Sequence, residues 1–302
     1  MKCAIIYDDI YLKHETYNHP EKKERLLAIK SALEPIKDQL KWLKPIKATK
    51  EDILRVHTKE HFEIVKRFCN SQMALDIDTL CSKGSFESAI YAAGAGIRGV
   101  DAILNKEAKR VFLAIRPPGH HATSDQSMGF CIFNNIAIAA KYAQTKGFKK
   151  IFIIDFDIHH GNGTQEIFYE DNSVFYLSTH QMPAYPGTGR SDEIGINKGR
   201  GFTKNFPLPI GTRDSELLEI YKKEVPILID KFNPDLIMVS AGYDIHIDDP
   251  LGDFRITTNG IKELVDTILT YSNKEYIFFL EGGYNLEALG KSVFVTIEKM
   301  LN

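Results

Sequence analysis

The sequence predicts a single α/β domain over residues 1–302, built as a doubly wound parallel sheet flanked by helices. Six short apolar runs have the length of strands. Several of them are apolar throughout, which is typical of parallel strands covered on both faces. Helix-like segments lie between these runs, so strand and helix alternate along the chain. A chain of 302 residues, 43% of them hydrophobic, can also bury a large core.

Each element is predicted from its local pattern. The strands are expected at Ala4–Tyr7, Val111–Ile115, Ile151–Ile154, Val174–Leu177, Leu236–Ser240 and Tyr276–Leu280. The helices are expected at roughly Glu21–Leu33, Lys50–Arg67, Phe86–Asn105, Asn134–Lys146, Ser215–Lys231, Thr257–Ser272 and Leu286–Met300. Thr257-Thr258-Asn259 offers an N-cap at the start of the sixth of these helices, because side-chain oxygens of Thr and Asn can accept a hydrogen bond from the first turn.

Long irregular stretches interrupt this alternation. They are Asp8–Pro20, Asn70–Ser85, Pro117–Phe133, Thr179–Gly211 and Gly242–Arg255. Loops of this length inside a compact domain are usually functional. Most of them follow a predicted strand, which places them at the carboxyl ends of the sheet. Open α/β sheets bind their ligands at that edge.

Composition argues against several classes of protein. The net charge is −2, with 38 basic and 40 acidic residues, so the basic surface needed for nonspecific nucleic-acid binding is not expected. No apolar run suits a signal peptide or a membrane span, and we expect a cytoplasmic protein without a membrane partner. The four cysteines, Cys3, Cys69, Cys81 and Cys131, form no Cys-x-x-Cys pair. Reduced cysteines are therefore expected, rather than a zinc ribbon or a disulfide scaffold.

The strongest chemical signal is Asp-Phe-Asp-Ile-His-His at residues 155–160, directly after an apolar run. Alternate side chains of an extended chain share one face, so Asp155, Asp157 and His159 are expected to point the same way. Buried carboxylates are costly unless they are paired or ligated. Two carboxylates and one imidazole suit a single divalent metal.

Three further strands end in side chains that metal-assisted hydrolysis requires. His120 and His121 follow the second predicted strand, Asp244 follows the fifth, and Tyr284 follows the sixth. Together they offer a ligand, a proton shuttle and a hydrogen-bond donor for a developing oxyanion. Singly, Asp244 suits a turn and Tyr284 suits packing, but their joint occurrence favours a metal site. Glu281 is expected to satisfy backbone donors beneath that site.

Five motifs follow one another along the chain: Arg-Pro-Pro-Gly-His-His-Ala, Asp-Phe-Asp-Ile-His-His-Gly-Asn-Gly-Thr-Gln, Tyr-Pro-Gly-Thr-Gly, Ser-Ala-Gly-Tyr-Asp and Leu-Glu-Gly-Gly-Tyr-Asn. In sequence and in order they resemble the zinc-dependent histone deacetylase family. His19-Pro20-Glu21 with Arg25-Leu26, and Asp78-Thr79 with Gly84-Ser85, extend the similarity over nearly the whole chain. It is closest to the class II branch and its bacterial and archaeal relatives, which include acetylpolyamine amidohydrolases. The resemblance implies an arginase/deacetylase-like fold.

The resemblance also implies a catalytic metal and a set of catalytic residues. The metal ligands are expected to be Asp157, His159 and Asp244. The metal is expected to be Zn²⁺, or Fe²⁺ because this ligand set is harder than typical zinc sites. His121 matches the general base, and His120 matches its neighbour that assists the leaving amine. Tyr284 matches the donor that polarises the acyl carbonyl.

Other positions match residues around the family's site. Asp155 matches the carboxylate that orients His120. Asn162 stands where class I enzymes have an aspartate, so His121 should be less basic here than with a carboxylate partner. Asp155 and Ser178 match a structural K⁺ site. The substrate tunnel is expected to include Phe130, Tyr185 and Leu251 as walls, Asp78 as the rim residue that grips a peptide substrate, and Arg25 at a product exit.

The substrate is expected to be an acylated lysine of a protein or peptide, with acylated polyamines or other small amines as the alternative. Leu251 occupies the position of an acidic gatekeeper in one polyamine-selective member, although Asp248, Asp249 and Asp253 lie nearby. A non-catalytic acyl-lysine-binding scaffold is a remote alternative. Arginase-like enzymes hold two metals, but no Asp-x-Asp follows Tyr243, so one metal is expected. The oligomeric state and the preferred acyl group stay open.

Overall fold

The computed structural model describes residues 3–302, and one eight-stranded sheet runs through it. Its strands are β1 (Cys3–Ile6), β2 (Lys41–Leu43), β3 (Arg110–Leu113), β4 (Ile151–Asp155), β5 (Val174–Gln181), β6 (Thr203–Leu208), β7 (Leu236–Ala241) and β8 (Tyr276–Leu280). Their order is β2-β1-β3-β8-β7-β4-β5-β6, and every pairing is parallel. The predicted α/β class with a doubly wound parallel sheet is confirmed.

Helices flank this sheet. They are α1 (Glu24–Leu33), α2 (Lys50–Ile53), α3 (Lys59–Asn70), α4 (Ser85–Leu104), α5 (Asn135–Thr145), α6 (Asn162–Phe168), α7 (Asp214–Lys223), α8 (Val225–Phe232), α9 (Thr258–Thr270) and α10 (Leu286–Leu301). One group of packed helices contains α1, α10, α9 and α7, and another contains α4, α5 and α6. Of the three residues that offered an N-cap, Thr257 caps α9, and its hydroxyl accepts a hydrogen bond from the backbone N–H of Gly260.

The six predicted strands are the six inner strands of the sheet, and nearly all of their residues are buried. The two edge strands, β2 and β6, were not predicted. Two predicted helices are each split in two. The first is interrupted where the Thr58 side chain caps α3, and the second at Glu224, just before Pro226. The sheet brings the carboxyl ends of β3, β8, β7 and β4 side by side.

The cysteines depart from the sequence-based expectation. Cys69 and Cys81 form a disulfide, with Cα atoms 4.9 Å apart, a separation typical of such bonds. Cys3 and Cys131 are free and buried. The expectation of four reduced cysteines is therefore wrong for one pair. The two residues approach because the chain turns back between α3 and α4, a long-range feature that their spacing does not encode. Among residues 3–302, no helix is both long and apolar enough to span a membrane.

Candidate metal centre and active site

Two carboxylates and one imidazole converge beyond the ends of β4 and β7. The Nδ1 atom of His159 lies 3.1 Å from Oδ1 of Asp157 and 3.1 Å from Oδ2 of Asp244. Both carboxylates are almost fully buried. The structure therefore brings together the three residues predicted as metal ligands, with their ligand atoms within 4.8 Å of one another.

The backbone around these carboxylates leaves room only for glycine. A Cβ atom on Gly282 would lie 2.1 Å from Oδ2 of Asp244, and one on Gly242 would lie 2.1 Å from Oδ2 of Asp157. The backbone N–H of Gly282 instead donates a hydrogen bond of 2.8 Å to Asp157. Glycine at both positions lets the two strand ends approach the carboxylates closely.

These residues fit a divalent metal ion. The two 3.1 Å separations are close to the ligand–ligand distance of about 3.3 Å in a tetrahedral site with bonds of about 2.0–2.1 Å. Burial, with the negative charge of Asp157 beside it, raises the pKa of Asp244 to about 7. Two buried carboxylates with ligand atoms within 4.8 Å of each other are unfavourable without a cation between them. The chemistry of the donor set thus agrees with the predicted ligand role.

The two histidines after β3 lie beside this centre, and each has a different partner. Nδ1 of His120 is 3.0 Å from Oδ2 of Asp155, and Nδ1 of His121 is 2.8 Å from Oδ1 of Asn162. The predicted pairings are therefore present. The ring centroids of the two histidines are 4.0 Å apart, so the charge of one affects the other.

The two partners give the histidines opposite pKa shifts. Although burial opposes it, the carboxylates of Asp155, Asp157 and Glu281 raise the pKa of His120 to about 10. Burial lowers the pKa of His121 well below its usual value, and the positive charge of His120 lowers it further. The site therefore holds one charged and one neutral imidazole at neutral pH.

A second group of potential ligand atoms includes His120 itself. His120, Cys131 and Glu281 have ligand atoms within 4.8 Å of one another. Oε2 of Glu281 accepts hydrogen bonds from the backbone N–H groups of Gly119 and His120, at 2.7 and 3.2 Å. The predicted structural role of Glu281 is thus present. In this second group, protein N–H groups already donate to the Glu281 carboxylate. The expectation of one metal per chain stays a prediction.

Tyr284 and the predicted tunnel residues surround the approach to the centre. The Tyr284 ring packs edge-on against Phe130 at 5.7 Å, and the Tyr185 ring packs edge-on against His121 at 5.1 Å. Tyr185 is 41% exposed and Leu251 is 37% exposed, so both reach the surface. Burial raises the pKa of Tyr284 well above its usual value, with the charge of Asp244 adding to it. Its hydroxyl therefore keeps its proton.

The backbone at Phe130 is unusual. Phe130 has a φ of +68° and follows Gly129, whose φ is +55°. A Cβ atom on Gly129 would lie 2.4 Å from the ring of His121. Positive φ is uncommon for an aromatic residue, and such strain often occurs at functional sites. This turn places Phe130 beside Tyr284 while leaving space for the imidazole.

The remaining predicted residues occupy distinct places. The Asp78 side chain accepts a hydrogen bond of 3.0 Å from the Thr79 hydroxyl, and its carbonyl oxygen lies 3.1 Å from Nε2 of His19. Arg25 is fully buried and donates to the carbonyl oxygens of Glu281 and Gly283 at 2.5 and 2.6 Å. Ser178 pairs with Asp155 across β4 and β5. None of these contacts tests the roles predicted for the three residues.

The three acids near Leu251 differ from one another. Asp249 is buried and accepts hydrogen bonds from the backbone N–H groups of Tyr284, Asn285 and Leu251, at 2.6, 3.2 and 3.0 Å. Asp253 accepts one from Gln181. The Asp248 side chain is 68% exposed. Sequence reasoning missed that Asp249 positions the Tyr284 loop, because this contact spans 35 residues.

Sequence reasoning also missed two other residues beside the histidines. The Tyr176 hydroxyl donates a hydrogen bond of 3.1 Å to Oδ2 of Asp155. Sγ of Cys131 accepts one from the backbone N–H of His121 at 3.4 Å. Both residues lie in apolar runs, so their local pattern resembles that of core residues and gives no signal of a site.

Comparison with known proteins agrees with these features. The histone deacetylase domain matches residues 19–300 of the chain. A probable deacetylase of Archaeoglobus fulgidus is 41% identical over 95% of this chain and 82% of its own length. Histone deacetylase 14, chloroplastic, of Arabidopsis thaliana is also 41% identical, over 96% of this chain and 74% of its own length. The crystal structure of the HDA15 HD domain superposes with a TM-score of 0.95 at 34% identity, covering 99% of this chain and 88% of that one.

Proposed function

Since the chain belongs to the histone deacetylase family, we propose that it is a zinc-dependent amidohydrolase that removes acyl groups from lysine side chains of proteins or peptides. Family membership supports deacetylase activity, a hydrolysis of amides. The finer parts of the proposal are the metal, the substrate and the residue roles. The observation that carries them is the convergence of Asp157, His159 and Asp244 beside two histidines, of which one faces a carboxylate and the other an amide oxygen.

The site's own residues support this chemistry. A divalent ion held by Asp157, His159 and Asp244 would supply a Lewis acid for water and for the amide carbonyl. Because Oδ1 of Asn162 faces Nδ1 of His121, that nitrogen carries the proton. Nε2 of His121 is then free to accept a proton from the attacking water.

The other two side chains act on the substrate. His120 is held positively charged by its carboxylate neighbours, so it can donate a proton to the departing amine. Tyr284 keeps its hydroxyl proton and can donate a hydrogen bond to the carbonyl oxygen as negative charge develops there. The rings of Phe130, beside Tyr284, and of Tyr185, beside His121, suit the narrow passage that an apolar lysine stem would need.

A fluorogenic acetyl-lysine peptide tests the proposal. The purified protein is stripped with a chelator and then reloaded with Zn²⁺ or Fe²⁺, and metal per chain is measured by elemental analysis. We expect turnover that is lost on stripping and restored on reloading at about one ion per chain. A hydroxamate should inhibit it. A reloaded protein that hydrolyses no acylated amine, or that needs two ions per chain, would contradict the proposal.

An acylated polyamine is a second candidate substrate, and one observation favours it. The Asp248 side chain is 68% exposed on the loop that also carries Leu251, where it can attract a cationic amine. Buried Asp249 is occupied by three backbone donors and does not add to this charge. The values of kcat/KM for acetylated spermidine and for the acetyl-lysine peptide are measured with the wild type, with Asp248→Asn and with the surface control Asp38→Asn. If the enzyme prefers polyamines, kcat/KM should be higher for acetylated spermidine than for the peptide. That value should fall in Asp248→Asn and stay unchanged in Asp38→Asn.

A non-catalytic scaffold would lack some of the machinery, yet Asp157, His159, Asp244, the His120–His121 pair and Tyr284 are all present. Peptide binding without hydrolysis by metal-loaded protein would favour the scaffold. The cytoplasmic location stays a prediction.

A further inference from the structure

A second concavity lies at the amino ends of β4, β5 and β6, whereas the proposed site lies at the carboxyl ends of the strands. Its volume is about 340 Å³. Phe175 on β5, Phe202 just before β6 and Phe232 at the end of α8 line it. Their ring centroids are 5.6, 5.9 and 6.3 Å apart, and each pair is edge-on. The three rings form a closed triangle that is already packed without a ligand.

The same concavity is lined by three cations, Lys150, Arg200 and Lys231. All three residues are exposed. Within residues 3–302, none of them forms an ion pair with a carboxylate. Many other surface lysines do, such as Lys262 with Glu298 at 2.7 Å. Three like charges around one apolar floor repel one another, so this arrangement favours an anion.

Local geometry places the Lys150 side chain against one ring of the cavity. Lys150 donates a hydrogen bond of 3.1 Å to the carbonyl oxygen of Phe232 and lies 5.5 Å from the centroid of that ring. Arg200 and Phe202 flank Gly201, whose φ is +90°. This left-handed turn favours glycine. A carboxylate is also close by, that of Asp235 just before β7. Its Oδ2 accepts hydrogen bonds from the backbone N–H groups of Lys149 and Lys150, and it forms no ion pair with the Lys150 side chain.

We propose that this cavity binds a small amphipathic anion, with a one- or two-ring aromatic body on the phenylalanine triangle and a carboxylate held by the cations. Aromatic rings pack well edge-on or offset against such a floor. Arginine and lysine bind carboxylates through charge-assisted hydrogen bonds. The volume of about 340 Å³ lies at the lower end of the range for ligand pockets, which suits a molecule of that size. The proposal is independent of the amide hydrolysis.

Calorimetric titration with 2-naphthoate and with the neutral, nearly isosteric 2-naphthamide tests this inference. We expect naphthoate to bind more tightly than naphthamide, and less tightly as salt is added. The variant Arg200→Gln/Lys231→Gln should weaken naphthoate binding about tenfold and leave naphthamide unchanged. Lys66→Gln is the matched control, since Lys66 is an exposed lysine on α3. Phe202→Ala should weaken both ligands.

A carboxylate can also bind a metal, so each titration is repeated on EDTA-treated protein, where the affinity should not change. Thermal melting of each variant excludes unfolding as a cause of lost binding. Equal affinity for naphthoate and naphthamide would overturn the proposal. So would unchanged naphthoate binding in Arg200→Gln/Lys231→Gln, an equal loss in Lys66→Gln, or binding that disappears with EDTA.

Discussion

Two buried charged clusters lie on either side of the segment Glu281–Gly283, and they are balanced in different ways. In the arginine cluster, the one carboxylate of Glu21 meets both Arg116 and Arg25, and the other guanidinium N–H groups donate to backbone oxygens. The carboxylate cluster consists of four acids and two histidines: Asp155, Asp157, Asp244, Glu281, His120 and His159. Its carboxylates outnumber its cations.

The pKa values of the two clusters follow this difference. Although burial opposes it, Arg116 lowers the pKa of Glu21 to about 2. Burial raises the pKa of both Asp244 and Glu281 to about 7. In the arginine cluster two guanidinium groups share one carboxylate, and backbone carbonyl oxygens accept their remaining hydrogen bonds. That cluster is thus complete as a structural ion network, whereas the carboxylate cluster needs an added cation. A buried cluster whose excess charge is not met by other groups of the protein is the better indicator of a functional site.

The largest effect is expected when a carboxylate leaves the carboxylate cluster. Asp244→Asn keeps the shape but removes a ligand charge. We expect it to lose bound metal and to lower turnover by more than the ~10³-fold that one hydrogen-bond donor contributes. Its melting temperature in EDTA should stay the same or rise, because an unbalanced charge is gone. Elemental analysis and calorimetry measure both. A metal-replete, active variant would reject the ligand assignment.

The opposite result is expected in the arginine cluster. Arg116→Met leaves Glu21 buried beside a single guanidinium, which should lower the free energy of unfolding by about 3–5 kcal/mol. Urea denaturation measures this change. Arg190→Met is the control, because its pair with Asp192 is 67% and 68% exposed and should contribute little to stability. Equal losses in the two variants would show that Arg116 is not a buried structural charge. Adding Glu21→Gln to Arg116→Met should recover part of the loss.

Tyr284→Phe tests a hydrogen-bond donor that lies beside the carboxylate cluster and is not a proposed metal ligand. It removes a hydroxyl that the proposed mechanism uses only when negative charge develops on the carbonyl oxygen. The variant should lose about 3 kcal/mol of transition-state stabilisation, so its turnover should fall. Its metal content per chain should stay at the wild-type value. Steady-state kinetics and elemental analysis are measured on the same sample. Loss of metal in this variant would contradict the assigned role.

The arginine cluster should also respond to pH. Burial lowers the pKa of His14 to about 4, against the attraction of Glu21. The unfolded chain binds a proton at His14 below about pH 6.5, but the native protein does not until near pH 4. Stability from this residue is therefore complete well above pH 6.5 and is lost as pH falls, by about 2 kcal/mol in total when pH 5 is reached. Urea melts of wild type and His14→Gln should diverge over that range, and parallel curves would reject the effect.

The inner part of the fold could be predicted from sequence because its signals are local. Inner strands such as β4 and β8 are continuously apolar, and the structure buries them on both faces. The edge strands lack that signal: β2 is only partly buried, and β6 contains Pro207. Helix α6 was missed because Gly161-Asn162-Gly163 resembles a turn, and packing overrides that preference.

The candidate site was predictable in its residues but not in its contacts. Asp157, His159 and Asp244 follow strands that the parallel topology places together, so their convergence could be expected. Glu21 was assigned to a helix, yet α1 begins at Glu24 and Glu21 instead binds Arg116, which is 95 residues away. Such pairings depend on the packed tertiary structure, and no local period encodes them.

The smallest expected effect comes from changing the partner of His121. Asn162→Asp places a carboxylate 2.8 Å from Nδ1 of His121, where the amide oxygen now lies, and should raise the pKa of that histidine. If neutral His121 is the base, the acidic limb of the kcat/KM profile should move to higher pH, by about one unit. Activity at a pH on the acidic limb of the wild-type profile should then fall relative to activity at pH 8. The change also makes this histidine resemble His120, which already has a carboxylate partner.

Asn162→Ala is the matched control for that change, since it removes the hydrogen bond without adding charge. Its turnover should fall because the tautomer and orientation of His121 are no longer fixed, but its acidic limb should not move to higher pH. An acidic limb that stays in place in Asn162→Asp, or moves to lower pH, would show that His121 is not the titrating base. The limb would then have to be assigned to another group, such as the metal centre itself.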